Sequence, residues 1–214
     1  MLDGSPAGMN SSSMPCDGSS IHIPVNSRAP SFARISSGDC VEPIESPEIV
    51  CDAGPLIHLD ELECLDLLND FAAIWVPNPV ADEVEKHRPR VLRNPTVTLR
   101  QTPGQHTPAS RLSTLARSLS LHRGELAALA LMQDHPEAIF LTDDTAARLA
   151  AKSLGYRVHG TIGVLLRAFR VGKRTRSALV SILRTLPVRS TLHVRKELLD
   201  EVLANLNQAK RPDS

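Results

Sequence analysis

Long apolar runs are missing from this sequence: no stretch approaches the roughly 18 residues needed to span a bilayer. A basic segment followed by an apolar one is also missing at the N-terminus, so no secretory signal is expected. Net charge is absent as well, with 24 basic residues balancing 24 acidic ones among 214. The whole-chain balance therefore predicts neither nucleic-acid nor membrane binding, and any such contact must come from a local patch. Cysteine is scarce, and Cys16, Cys40, Cys51 and Cys64 form no C-x-x-C pair and no other zinc-ligand spacing. They read as free thiols of a soluble, cytoplasmic protein. No internal repeat is present, and the only tryptophan, Trp75, is expected to pack in a core rather than stack on a base.

What is there is a chain that is 42% hydrophobic, long enough for one compact domain and a tail. Residues 1–47 are rich in Ser, Pro and Gly, from Gly4, Ser5 and Pro6 through Ser11-Ser12-Ser13 to Pro43 and Pro47. Their apolar residues have no period, so the segment buries too little to offset its ordering entropy and is expected to be disordered. Met9 and Met14 are alternative starts within it. A single domain is expected over residues 48–208, with a flexible tail over 209–214.

Ile49-Val50-Cys51 reads as a buried strand that ends at Asp52 and turns into a helix, Pro55 being tolerated in the first turn. Leu56, Ile57, Leu59, Leu62, Leu65, Leu67 and Leu68 supply the apolar positions of that helix. A strand over Ala72–Val76 and a helix over Val80–His87 follow. Residues 88–109 carry Pro89, Pro95, Pro103 and Pro108 and read as irregular, with a short strand over Val97–Leu99. Helices are expected over Ser110–Ser120 and Arg123–Gln133, a strand over Ala138–Leu141, and a helix over Thr142–Leu154 stopped by Gly155. A strand over Arg157–His159 precedes three helices over Thr161–Val171, Arg174–Leu186 and Val194–Asn207. Short strands alternating with helices imply βαβ units and an α/β fold with a parallel sheet. Crossovers should be right-handed, and ligands should bind beyond the carboxyl ends of the strands.

That rule gives the acidic residues their interest. Asp52 directly follows the first strand, and Asp143 and Asp144 follow the strand over Ala138–Leu141 with only Thr142 between. Parallel strands bring both sites to one edge. Glu83, on the helix after the second strand, and Glu125, in the first turn after Gly124, can reach the same edge. Carboxylates grouped a few ångströms apart cannot all stay ionised unless something neutralises them. A hard divalent cation does so: Mg²⁺ or Mn²⁺ takes oxygen ligands, retains waters that serve as nucleophiles, and polarises a phosphoryl oxygen. Each acid also has a plainer role, because Asp after a strand caps helices, Glu in a first turn suits the helix dipole, and Glu83 suits an exposed helix face. Their joint order is what carries the chemistry.

That order resembles the PIN-domain family, in particular the branch of small PIN-like proteins related to VapC-type toxins. The blocks are Ile49-Val50-Cys51-Asp52-Ala53-Gly54-Pro55-Leu56-Ile57, then Val76-Pro77-Asn78-Pro79-Val80-Ala81-Asp82-Glu83-Val84, then Gly124-Glu125-Leu126-Ala127-Ala128-Leu129-Ala130. Leu141-Thr142-Asp143-Asp144-Thr145-Ala146-Ala147-Arg148 and the segment from Gly155 to Leu165, with its Val158-His159-Gly160-Thr161, complete the series. The resemblance spans about residues 48–205 and implies a three-layer PIN-like fold, a short central parallel sheet flanked by helices. It also implies a Mg²⁺- or Mn²⁺-dependent ribonuclease acting on RNA, an antitoxin partner and a homodimer. By match, Asp52, Glu83, Glu125 and Asp144 are the catalytic acids, with Asp52, Glu125 and Asp144 on the metal, and Thr142 supplies the Thr of the Thr-x-Asp step. One departure stands out: many PIN nucleases carry another acid three residues beyond that Asp, where this chain has Ala147. Either Asp143 substitutes or the site holds one metal rather than two. The missing acid, like the N-terminal tail, favours the alternative of a non-catalytic PIN-like module that binds a protein partner or RNA. A phosphotransferase of the HAD type fits poorly, since Asp52-Ala53-Gly54 lacks that family's second Asp.

Arg148, one helical turn after the acids, either pairs with them, binds a phosphate, or lies on the surface. Thr142 orients a metal-bound water or caps a helix, and Thr161 is expected to be an N-cap after Gly160. Arg167, Arg170, Lys173, Arg174 and Arg176 cluster around Gly172. They suit contacts to RNA phosphates, which would make binding salt-dependent, or a solvated helix-turn-helix surface. His58, His87 and His122 show no metal-ligand spacing and are expected to be ordinary histidines.

Overall fold

A computed structural model describes residues 46–103 and 107–208, so the expectations for residues 1–45 and 209–214, and for Cys16 and Cys40, lie outside the described residues. Five parallel strands form one sheet in the order β3-β2-β1-β4-β5: β1 (Ile49–Cys51), β2 (Ile74–Pro77), β3 (Arg100–Thr102), β4 (Ile139–Leu141) and β5 (Arg157–His159). Val50 registers with Trp75 on one side and Phe140 on the other. Every residue of β1 and β4 is buried, which is why both read as continuous apolar runs, the pattern of strands covered on both faces. The edge strands are polar, Arg-Gln-Thr in β3 and Arg-Val-His in β5, a composition that discourages further strand pairing. The chain moves outward from β1 through β2 to β3, then returns to the other side of β1 for β4. Between β1 and β4 the winding reverses, and a parallel sheet opens a crevice at such a point.

Nine α-helices flank the sheet among the described residues. They are α1 (Ala53–Glu61), α2 (Asn78–His87), α3 (Pro89–Leu92), α4 (Ser110–Leu119), α5 (Arg123–Leu131), α6 (Thr145–Ser153), α7 (Thr161–Arg170), α8 (Arg176–Arg189) and α9 (Lys196–Gln208). Helix α5 packs on β1 and β2, α6 on β5 and α5, and α7 on β5, α1 and α8. The core joins Leu56 and Leu59 of α1, Phe140 and Leu141 of β4, Leu165 of α7 and Leu179 of α8, all fully buried. Gly155 ends the α6 region at φ +88, a left-handed position that glycine takes without strain. Cys51 and Cys64 are free and buried, and burial pushes the thiol pKa of both up, so neither is a reactive thiolate.

Several expected elements shift. The leucine-rich helix after Asp52 stops at Glu61, and a 3-10 turn over Leu65–Asp70 takes the remaining leucines. Glu63 sits at φ +56 and the Cys64 N–H closes onto Leu59 O at 2.8 Å, a left-handed helix end formed without the usual glycine. The third strand is Arg100–Thr102, not Val97–Leu99. The Asn94 carboxamide accepts from the Thr96 N–H and hydroxyl at 2.9 and 2.6 Å and holds that stretch in a turn. A helical turn, α3, occupies part of the region expected to be irregular. Helix α6 starts at Thr145 rather than Thr142, because Asp144 caps it. Gly160, not Thr161, is the N-cap of α7. Trp75 is half-buried against the core rather than within it: its Nε1 donates to Glu48 Oε2 at 3.1 Å and Arg100 lies 5.1 Å over its ring.

Candidate functional site

The carboxyl ends of β1 and β4 deliver Asp52 and the Thr142-Asp143-Asp144 linker to the crevice. Asp52 is 6% exposed. Its Oδ1 accepts the Ala53 N–H at 2.8 Å, capping α1, and its Oδ2 accepts the Thr142 hydroxyl at 2.9 Å. The same Thr142 oxygen accepts the Asp144 N–H at 3.1 Å. Thr142, fully buried, therefore couples the two acids through one hydroxyl.

An open pocket of about 420 Å³ at this edge is lined by Asp52, Glu83, Glu125, Asp143 and Asp144. All four acids assigned by resemblance, and Asp143, thus meet in one place. Gly124 makes room for it: a Cβ there would stand 3.2 Å from Glu83 Oε2 and 3.4 Å from Val80 Cγ2. The larger cavity, about 690 Å³, lies elsewhere, beside the far end of α1 and α3. Its charged residues Asp60, Glu63, Asp66, Arg90 and Arg93 are all already ion-paired, so the acid pocket is the chemical candidate.

Helix geometry explains how five carboxylates share this space. Four of them accept a backbone N–H at the start of a helix, each at 2.8 Å: Asp52 from Ala53, Glu125 from His122, Asp143 from Thr161 and Asp144 from Ala147. Helix N-termini carry partial positive charge and favour anions. The compensation is incomplete at Asp52. Burial pushes its pKa up to about 7, against hydrogen bonds from Ala53 and Thr142, and the charges of Glu125 and Glu83 push the same way.

Asp143 is held differently from its neighbour. Its Oδ2 pairs with His58 Nδ1 at 2.8 Å and accepts the Thr161 hydroxyl at 2.6 Å. Burial pushes its pKa up, but these bonds outweigh burial and hold it below the ordinary carboxylate range. His58, expected to be an ordinary histidine, is instead the clamp on Asp143 and lines the pocket. Gly160 is required by close approach: a Cβ there would lie 2.5 Å from Asp143 Oδ1 and 2.7 Å from Arg148 Nη2. Arg148 donates from Nη2 to the Thr142 carbonyl at 2.7 Å, bracing the linker.

The capping roles have a consequence for metal binding. Among the described residues, no three His, Cys, Asp or Glu side chains are gathered tightly enough to hold a metal ion. The donor chemistry suits a hard cation, whereas Glu125 and Asp144 are turned to their own helix N-termini. Ala147, at the position where a further acid was of interest, is fully buried and spends its N–H on Asp144 Oδ1.

Sequence reasoning missed the remaining wall of the pocket. Leu192 and His193, between α8 and α9, line it with His122. Buried Glu61 ties this loop down, accepting from the Thr191 N–H at 2.7 Å, the Ser190 hydroxyl at 2.9 Å and Arg88 at 2.9 Å. No local signal marks a contact 130 residues apart in sequence. The basic cluster stands outside the pocket and is partly neutralised: Arg174 grips both oxygens of Asp66 at 2.9 and 2.7 Å, and Lys173 lies 3.4 Å from Asp70. Arg170 has no ion pair among the described residues, and Arg167 lies over the Phe71 ring.

The family model DUF3368, a PIN domain, matches residues 48–208. No curated protein matches the sequence.

Proposed function

The chain belongs to the PIN-domain family, and from that membership we propose that it is a ribonuclease that hydrolyses RNA phosphodiester bonds with Mg²⁺ or Mn²⁺ as its cofactor. The observation that carries the reading is the meeting of Asp52, Glu83, Glu125, Asp143 and Asp144 in one open pocket at the carboxyl edge of the sheet. An all-oxygen acidic donor set suits a hard divalent ion, and the raised pKa of buried Asp52 marks where positive charge would be most stabilising. Asp52, Glu125 and Asp144 would hold the ion, which supplies an activated water and charge stabilisation at the phosphoryl group. Thr142 orients Asp52 and the backbone of Asp144, while His58 and Thr161 keep Asp143 ionised beside them. Glu83, on the exposed face of α2, stands at the pocket mouth. RNA backbone contact is assigned to the cations of α7 and the following turn, Arg167, Arg170, Lys173 and Arg174, with the last two competing against Asp70 and Asp66.

The VapC-type likeness of the sequence blocks extends this proposal to a cytoplasmic, toxin-like endoribonuclease that forms a homodimer and is restrained by an antitoxin protein. Among the described residues no helix is long and apolar enough to cross a membrane. The toxin-like role predicts that expression of the wild-type chain, but not of D52N, slows growth of the host.

A second reading, a catalytically silent PIN module that binds a protein or RNA, is favoured by the absence of a gathered metal triad among the described residues and by Ala147. Purified protein assayed on structured RNAs with Mn²⁺, beside D52N and D144N, decides between them. Cleavage by the wild type alone supports the nuclease. No cleavage, or equal cleavage by all three, leaves the silent module.

A further inference from the structure

Two buried side-chain polar atoms among the described residues have no hydrogen-bond partner in the protein, Thr102 Oγ1 and Arg167 Nε. A buried donor without an acceptor is costly, and the few that native proteins keep call for an explanation. Arg167 lines a small cavity of about 100 Å³ between β4, β5 and α7, shared with His159, Arg170, Phe71, Ile139 and Leu141. No carboxylate lines it. The cations at its rim thus face an apolar floor, where low polarisability strengthens their field. His159 reports that field: burial lowers its pKa, and Arg170, Arg148, Arg157 and Arg167 lower it further. Gly163 leaves space beside the imidazole, since a Cβ there would stand 3.2 Å from His159 Nδ1. The volume is that of about three waters in the liquid, which suits one tetrahedral oxyanion.

The geometry points to a binding pocket for a single phosphate-type oxyanion, held by Arg167 and Arg170 beside His159. It is separate from the acid pocket, although β4 serves both: Leu141 lines this cavity and the next residue, Thr142, binds Asp52. The inference does not depend on RNA cleavage. It gives Arg167 Nε the acceptor it lacks, in the charge-assisted geometry that guanidinium groups offer to phosphate.

The test is a titration with inorganic phosphate against chloride at constant ionic strength, followed by the NMR signals of the His159 imidazole and by the unfolding temperature. The expected result is a saturable shift of the His159 signals and a rise in unfolding temperature. Loss of one charge-assisted hydrogen bond should weaken binding about tenfold or more in R167Q and in R170A. The Arg170 side chain is exposed, so R170A keeps the fold whatever R167Q does. R184A, an exposed cation of α8 outside the cavity lining, should bind as the wild type. No saturable response overturns the proposal, as does wild-type affinity in R170A together with a folded R167Q. A 5′-phosphorylated dinucleotide tests the source of the anion. Competition with phosphate identifies the end of a nucleic-acid strand, its failure a free oxyanion, and both outcomes require the pocket.

Discussion

Replacing Asp52 by asparagine should reverse the usual cost of altering a buried, hydrogen-bonded residue. The carboxyl rises from its ordinary 3.8 to about 7, which at 1.36 kcal/mol per unit is roughly 4 kcal/mol against the folded state once the group is ionised. Below pH 4 both folded and unfolded chains hold the proton, so Asp52 contributes nothing. Between about 4 and 7 the unfolded chain releases it and the folded one keeps it, so stability falls as pH rises, and above about 7 the whole penalty is present. The asparagine side chain would carry no charge at any pH. Its carbonyl would still accept from Ala53, but its amide would face the Thr142 hydroxyl, losing a bond worth about 1 kcal/mol. D52N should therefore be about 1 kcal/mol less stable than the wild type near pH 4 and about 3 kcal/mol more stable near pH 8. For a domain of this size that is roughly 6–12 °C at the higher pH. Urea unfolding in chelator at both pH values measures it, and other titrating groups cancel in the difference. A wild-type-minus-variant gap that is the same at both pH values would refute the assignment of the strain to Asp52.

Other perturbations separate close packing from backbone conformation. G160A should cost about 1–3 kcal/mol, because its methyl would strike Asp143 and Arg148. G155A, with nothing within 4 Å but φ +88, should cost about 1 kcal/mol; denaturant midpoints that reverse this order contradict the packing argument. E61A should cost about 3 kcal/mol by leaving Arg88 and the Ser190-Thr191 donors without their carboxylate, and should speed amide exchange at Thr191 and Leu192. Unchanged exchange would show that Glu61 does not hold the loop. Burial pushes Glu61 up, but its bonds to Thr191, Arg88 and Ser190 outweigh burial and leave its pKa lowered. Its contribution is present above the ordinary glutamate pKa and lost as pH falls through the folded value, so the gap between wild type and E61A should narrow on acidification.

The parts of the site that rest on strand ends were legible in the sequence. Apolar strands that run into acids, Ile49-Val50-Cys51 into Asp52 and Ile139-Phe140-Leu141 through Thr142 into Asp143 and Asp144, place all three acids at one edge of a parallel sheet. Gly155 marked the stop of α6, whereas the close approach of Gly124 to Glu83 and Val80 of α2 left no local trace. Long-range side-chain partnerships were not legible. His58 meets Asp143 across 85 residues, and Glu61 meets Thr191 across 130, and neither bond leaves a periodic trace. The early end of α1 was hidden because Glu63 takes the left-handed conformation without glycine. The edge strand β3 was hidden because its residues are polar, as an exposed edge demands.

Calorimetric titration with Mn²⁺ near pH 7.5 of the wild type, D52N and D144N tests most directly whether the acids at the sheet edge share a cation. Saturable binding by the wild type with release of a fraction of a proton, since Asp52 is already mostly ionised above about 7, and loss of that binding in both variants, is the predicted result. Absence of binding by the wild type, or equal binding by all three chains, would mean that these carboxylates serve only to cap their helices.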